Sequence, residues 1–74
     1  MSPDKLVYMA NQIGQFFASQ SPDRAAEGIA DHISKFWDPR MRGAIIAYAR
    51  KDGSALSPNV LRAVKGLKDV SNVE

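Results

Sequence analysis

With 74 residues the chain can hold one domain, and a domain this small buries only about 60% of the surface its unfolded form exposes, so its core is thin and a partner chain is a natural further source of stability. The lack of cysteine removes a disulfide framework, a thiolate zinc site and an iron–sulfur site together and fits a reducing, cytoplasmic setting; no basic flank precedes an apolar run at the N-terminus and no stretch approaches about 18 apolar residues, which argues against secretion and membrane insertion. The formal charge of +2 is too small to imply nucleic acid, but residues 1–34 set Lys5 and Arg24 against Asp4, Asp23, Glu27 and Asp31, whereas residues 35–74 carry eight Lys or Arg against Asp38, Asp52, Asp69 and Glu74.

The four prolines each follow a residue able to cap a helix: Ser2-Pro3, Ser21-Pro22, Asp38-Pro39 and Ser57-Pro58. Proline at the first helical position loses nothing, because that N–H has no intrahelical partner, and the preceding side-chain oxygen can accept from the first turn. Four helices are predicted. The first, over 3–18, places Leu6, Met9, Ala10, Ile13, Phe16 and Phe17 at the spacing of one buried face. The second, over 22–36, repeats the pattern with Ala26, Ile29, Ala30, Ile33 and Phe36, followed by Trp37. The third, over 39–51, offers Met41, Ala44, Ile45 and Tyr48 and ends at Asp52-Gly53, with Arg50 and Lys51 at its C-terminal dipole. The fourth, over 58–67, carries Leu61, Val64 and Leu67, with Leu56 and Leu61 spaced as a hydrophobic staple. No segment alternates at period two, so the fold class is all-α: a small bundle of four short helices over residues 1–68, with a flexible polar tail over 69–74.

Gly14 and Gly28 fall inside helices, where each costs about 1 kcal/mol relative to Ala. Close approach of another backbone is the usual compensation, either a crossing of the first two helices or a partner docked on the glycines.

Little in the sequence reads as chemistry. His32 is the only histidine, so neither a histidine zinc pair nor a Ser-His-Asp relay has supporting spacing. Asp23, Glu27 and Asp31 form a carboxylate ladder at i, i+4, i+8, which a solvated helix face explains without a metal. The five glycines are scattered and build no phosphate loop. The residues point to a chain that is not an enzyme by itself and binds no cofactor of its own.

The densest segment is KFWDPRMR, Lys35 to Arg42. Trp37 precedes the cap of the third helix, where a staple pairs it with the fourth helical residue, Arg42, and an arginine on an indole face contributes about 0.5 to 1 kcal/mol when exposed. Arg40 and Arg42 lie in a first turn, where the dipole disfavours cations. Either they pair with Asp38 or the acidic face of the second helix, or they meet an anionic partner surface, since Trp and Arg are enriched at interface hot spots. The four-helix core does not demand Trp37, Arg40 and Arg42, whereas Met41 is expected to pack inward.

Two stretches go beyond generic helices, DKLVYMANQIGQFFASQ (Asp4 to Gln20) and GIADHISKFWDPRMRGAI (Gly28 to Ile45). Together they resemble the small delta subunit of the soluble, NAD-dependent formate dehydrogenases of bacteria. The resemblance implies a non-catalytic accessory subunit in a cytoplasmic complex whose other subunits carry a molybdenum or tungsten pterin, iron–sulfur clusters, flavin and the NAD site. It implies a role in assembly or stability of the catalytic subunit, with Phe36, Trp37, Asp38, Pro39, Arg40, Met41 and Arg42 as the contact. Two other readings compete: a small helix-turn-helix-like nucleic-acid binder with the third helix as reader, disfavoured by the short link before that helix and by the lack of Asn or Gln beside its arginines, and a homodimer of the isolated chain.

Overall fold

Four helices appear in the computed structural model, which describes residues 3–67: α1 (Pro3–Phe16), α2 (Pro22–Phe36), α3 (Pro39–Lys51) and α4 (Pro58–Lys65). The Ser2 cap and the tail over 69–74 lie outside the described residues. Among these helices none is long and apolar enough to cross a membrane.

The proline-based starts hold, and the caps differ in chemistry. Ser21 Oγ accepts from Arg24 N at 3.5 Å and Asp38 Oδ1 accepts from Met41 N at 2.9 Å. Ser57 makes no side-chain cap bond. Its N–H and hydroxyl both donate instead to Asn11 Oδ1 in α1, at 2.9 and 3.2 Å. Asn11 Nδ2 donates in turn to Ala55 O at 2.9 Å, and Ala55 N donates to the Tyr48 hydroxyl at 3.0 Å. One side chain from α1 and one from α3 therefore fix the connection that delivers α4.

Two helices end earlier than their spacing predicts. The chain leaves α1 at Phe16, where Phe17 N is shared between Ile13 O and Gly14 O and Ala18 N turns to Gln15 O, the tightening common in last turns. α4 stops at Lys65 and is capped by Gly66. α3 ends as expected: Gly53 adopts φ +71°, a left-handed conformation suited to glycine, and its N–H donates to Tyr48 O at 3.1 Å.

The shortest helix occupies the middle. α4 packs against each of the other three, most extensively against α2, and Val60, Ala63 and Val64 are buried. Around them lie Leu6, Val7, Ala10, Ile29, Ile33, Trp37, Ile45, Ile46, Ala49 and Leu56, with Met9, Ile13, Phe17, Met41, Tyr48, Leu61 and Leu67 packed on the margin. The inward faces are rotated slightly from expectation: Val60 rather than Leu61 leads α4, Ala25 is buried in α2, and Ala44 is exposed while Ile46 and Ala49 are buried in α3.

The glycine positions explain the arrangement and correct the expected crossing. α1 meets α4, not α2, at Gly14: a Cβ there would stand 2.4 Å from Val60 Cγ2 and 3.1 Å from Asn59 Oδ1. Asn59 Nδ2 donates to Gly14 O at 3.1 Å, so the contact is hydrogen-bonded as well as close. Gly28 receives a side chain, since its Cβ would meet the Phe17 ring at 2.5 Å. Gly43, by contrast, has nothing within 4 Å of such an atom.

These geometries set opposite outcomes for one substitution. Gly43→Ala gains helix propensity alone and should stabilise by up to about 1 kcal/mol. Gly14→Ala gains the same propensity but overpacks a β-branched core residue, for a net loss of about 1 to 3 kcal/mol, which adding Val60→Ala should fail to worsen in full proportion because the two sites share one space. Urea denaturation of the parent, Gly43→Ala, Gly14→Ala, Val60→Ala and the Gly14→Ala/Val60→Ala double variant checks both signs and the coupling.

Candidate functional site

The segment Lys35 to Arg42 forms the corner between α2 and α3. Trp37 and Asp38 are its only non-helical residues, both extended (φ −93°, ψ 140° and φ −76°, ψ 169°), as expected for a residue before proline and its neighbour. Trp37 N still donates to Ile33 O at 3.0 Å, and Arg42 N donates to Asp38 O at 3.0 Å, so one helix closes as the next opens.

Trp37 is a core residue, 5% exposed. The expectation that the core does not demand it is corrected: of the adjacent aromatics at the end of α2, Trp37 takes the inward position and Phe36 is left 72% exposed. The periodicity that marked Phe36 as core fails because the inward place at this helix end holds one large ring. Phe36 rests instead on His32 one turn earlier, ring centroids 4.7 Å apart.

Arg42 does reach Trp37, but through its carbonyl rather than its indole. Arg42 Nη1 donates to Trp37 O and, at 3.3 Å, to Ser34 O. The last carbonyls of α2 have no intrahelical partner and form the negative end of its dipole. A cation misplaced in the first turn of α3 is thus well placed at the last turn of α2, which resolves for Arg42 the conflict seen in the sequence. Met41 packs against the core margin. Arg40 is exposed and makes no hydrogen bond or ion pair among the described residues, while Asp38 and Pro39 are exposed beside it. The seven candidate residues therefore divide: Trp37 and Met41 point inward, Arg42 is half-buried and tied to α2, and Phe36, Asp38, Pro39 and Arg40 share the outer corner.

The carboxylate ladder is partly paired. Asp23 is bonded to Arg62, which ties α2 to α4, and Asp31 takes Lys35 at 3.2 Å. Asp23, Glu27, Ala30 and Arg62 line an open groove of about 340 Å³. No group of three or more potential metal ligands gathers among the described residues.

A second exposed aromatic was missed. Phe16, expected in the buried face of α1, is 81% exposed, while Phe17 lies over Gly28; the two rings meet edge to face at 5.2 Å. A doubled aromatic at a helix end marks both places in the sequence, although it does not say which ring turns outward.

The family model of the NADH-dependent formate dehydrogenase delta subunit, FdsD, matches residues 5–64. The chain belongs to this family. The match takes in α2 and α3 and nearly all of α1 and α4, and with them all but the first residue of the two stretches whose sequence resembles the delta subunit. No curated protein and no solved structure gives a match. In this delta subunit the FWDPRMR segment is first a structural joint: its tryptophan fills the core and its second arginine closes the preceding helix.

Removing those two groups should therefore act on folding. Trp37→Ala is expected to lower stability by about 3 to 5 kcal/mol, and Arg42→Met by about 1 to 3 kcal/mol through the carbonyls left unpaired, whereas Arg40→Met should remain within about 0.5 kcal/mol of the parent. Chemical denaturation followed by tryptophan fluorescence, or by circular dichroism for the tryptophan variant, measures all three.

Proposed function

We propose that the chain is a non-catalytic accessory subunit of a cytoplasmic NAD-dependent formate dehydrogenase, held on the molybdenum- or tungsten-containing catalytic subunit and helping it assemble or remain stable. The family match over residues 5–64 is the observation that carries this reading. The distribution of polar groups supports it. Asn11, Ser57, Tyr48 and Asn59 hold the connection to α4 and its crossing with α1, Asp23 and Arg62 join two helices, Asp38 caps, and Arg42 closes α2. These side chains maintain a scaffold. The pterin, iron–sulfur clusters, flavin and NAD belong, on this reading, to the other subunits.

The corner offers a partner Phe36, Asp38, Pro39 and Arg40, and not Trp37. The nucleic-acid reading loses its second arginine, since the Arg42 guanidinium that would meet phosphates is bonded to α2 carbonyls.

Producing the enzyme's other subunits with and without this chain tests the proposal. Without it, the yield of metal-loaded catalytic subunit or its half-life on heating should fall several-fold, the scale at which 1 to 2 kcal/mol of stability changes abundance, and supplying the chain should restore it. Equal metal content, formate-dependent NAD reduction and thermal half-life in both preparations would refute an accessory role.

A further inference from the structure

A short helix that depends on tertiary contacts is ordinarily the first part of a domain to open, and α4, with eight residues, is the shortest of the four. Its position reverses that expectation. α4 is the principal neighbour of α2, which meets α1 much less and runs beside α3 hardly at all, although the two are joined at the corner. Val60, Ala63 and Val64 lie in one buried cluster with Leu6 of α1, Ile33 of α2 and Ile45 of α3. The inward faces of three helices are thus covered by the fourth.

Long-range hydrogen bonds end in the same place. Asn11 to Ala55, Ser57 to Asn11, Asn59 to Gly14 and Arg62 to Asp23 span 44, 46, 45 and 39 positions of the sequence. Through them α1 and α2 are both tied to residues 55–62. If α4 left its seat, the bonds from Asn59 and Arg62 would be lost and three apolar faces would meet water. Gly14 would keep its unfavourable helix propensity without the neighbour that its missing side chain admits. The remainder would be smaller than a domain already marginal in the share of surface it buries, and it would have lost the middle of its core.

We infer that α4 locks the fold: it does not open by itself, and the chain is either closed with α4 seated or unfolded in all four helices. The consequence is a check on completeness. A chain cut short before α4 has no folded remnant that could stand in for a whole one. The inference concerns the domain itself and holds independently of the accessory-subunit reading.

Native-state hydrogen exchange of the full chain, followed by NMR with urea added below the unfolding transition, tests the lock. The amides compared are those of four buried residues, Ala10, Ile33, Ile45 and Val64, one in each helix. Their protection factors should agree within about threefold and fall with urea at one common slope, that of global unfolding. Any one of the four, Val64 above all, exchanging more than about threefold faster than the others would show a helix opening alone and would overturn the inference. Ala63→Gly then weakens α4 from within, since glycine lowers helix propensity and a buried methyl group is lost. All four protection factors should fall by one common factor of about fivefold or more. A fall confined to Val64 would overturn the inference as well.

Discussion

α4 can stand at the centre of this bundle only because Gly14 has no side chain. An eight-residue helix does not persist alone in water, so α4 exists by virtue of the faces it buries, and the closest of those contacts brings Val60 to within a methyl group's room of the α1 backbone. The hydrogen bond from Asn59 to the Gly14 carbonyl fixes the same crossing in the direction along the helices. Asn11, one turn earlier in α1, holds the residues that enter α4, and Arg62, one turn further on, reaches Asp23 of α2. Each of these polar contacts presupposes the approach at Gly14. A Cβ there would move the helix that α1, α2 and α3 all pack against.

The shortness of that central helix has a second consequence. α2 has nearly twice as many residues as α4, its principal neighbour, so its C-terminal turn must find other cover. Trp37 supplies the apolar part by folding into the core from an extended cap residue, and Arg42 supplies the polar part by donating to carbonyls that α2 cannot satisfy itself. The near-absence of a loop between α2 and α3 makes this possible, because it places the first turn of α3 against the last turn of α2. A basic residue that is unfavourable in its own helix becomes favourable through its neighbour's dipole. The positive half of the chain is, to that extent, a structural charge rather than a displayed one.

Helix starts were legible in the sequence because a cap and a proline act within a few residues, and Asp38-Pro39 or Ser21-Pro22 needs no tertiary information to be read. Helix count, the all-α class and the delta-subunit resemblance of the FWDPRMR and YMANQI stretches followed from local pattern. Which way a side chain faces at a helix end did not. Phe16-Phe17 and Phe36-Trp37 each present two large rings to one place, and the choice depends on Gly28 making a seat for Phe17 and on the extended backbone at Trp37. In the same way Gly14 announces that something comes close without naming the helix that does. Asn11 carried no signal at all, since a polar residue in an amphipathic helix looks the same whether it meets water or a loop 44 residues away.

The outward phenylalanines differ from the inward aromatics in what the fold asks of them. Phe17 fills a space shaped by a glycine, and Trp37 fills the end of the core; a smaller residue at either place leaves a cavity. Phe16 meets Phe17 and Phe36 meets His32, yet both are largely exposed, and a polar residue at either position would leave the buried set unchanged. A domain whose core is limited by its length gains little from exposing apolar rings, because they favour association without adding to its own burial. The bundle itself therefore does not account for the exposed rings at the ends of these two helices. The same distinction separates the two arginines of the corner: Arg42 is required where it stands by the carbonyls it satisfies, whereas Arg40 is exposed and makes no hydrogen bond or ion pair among the described residues.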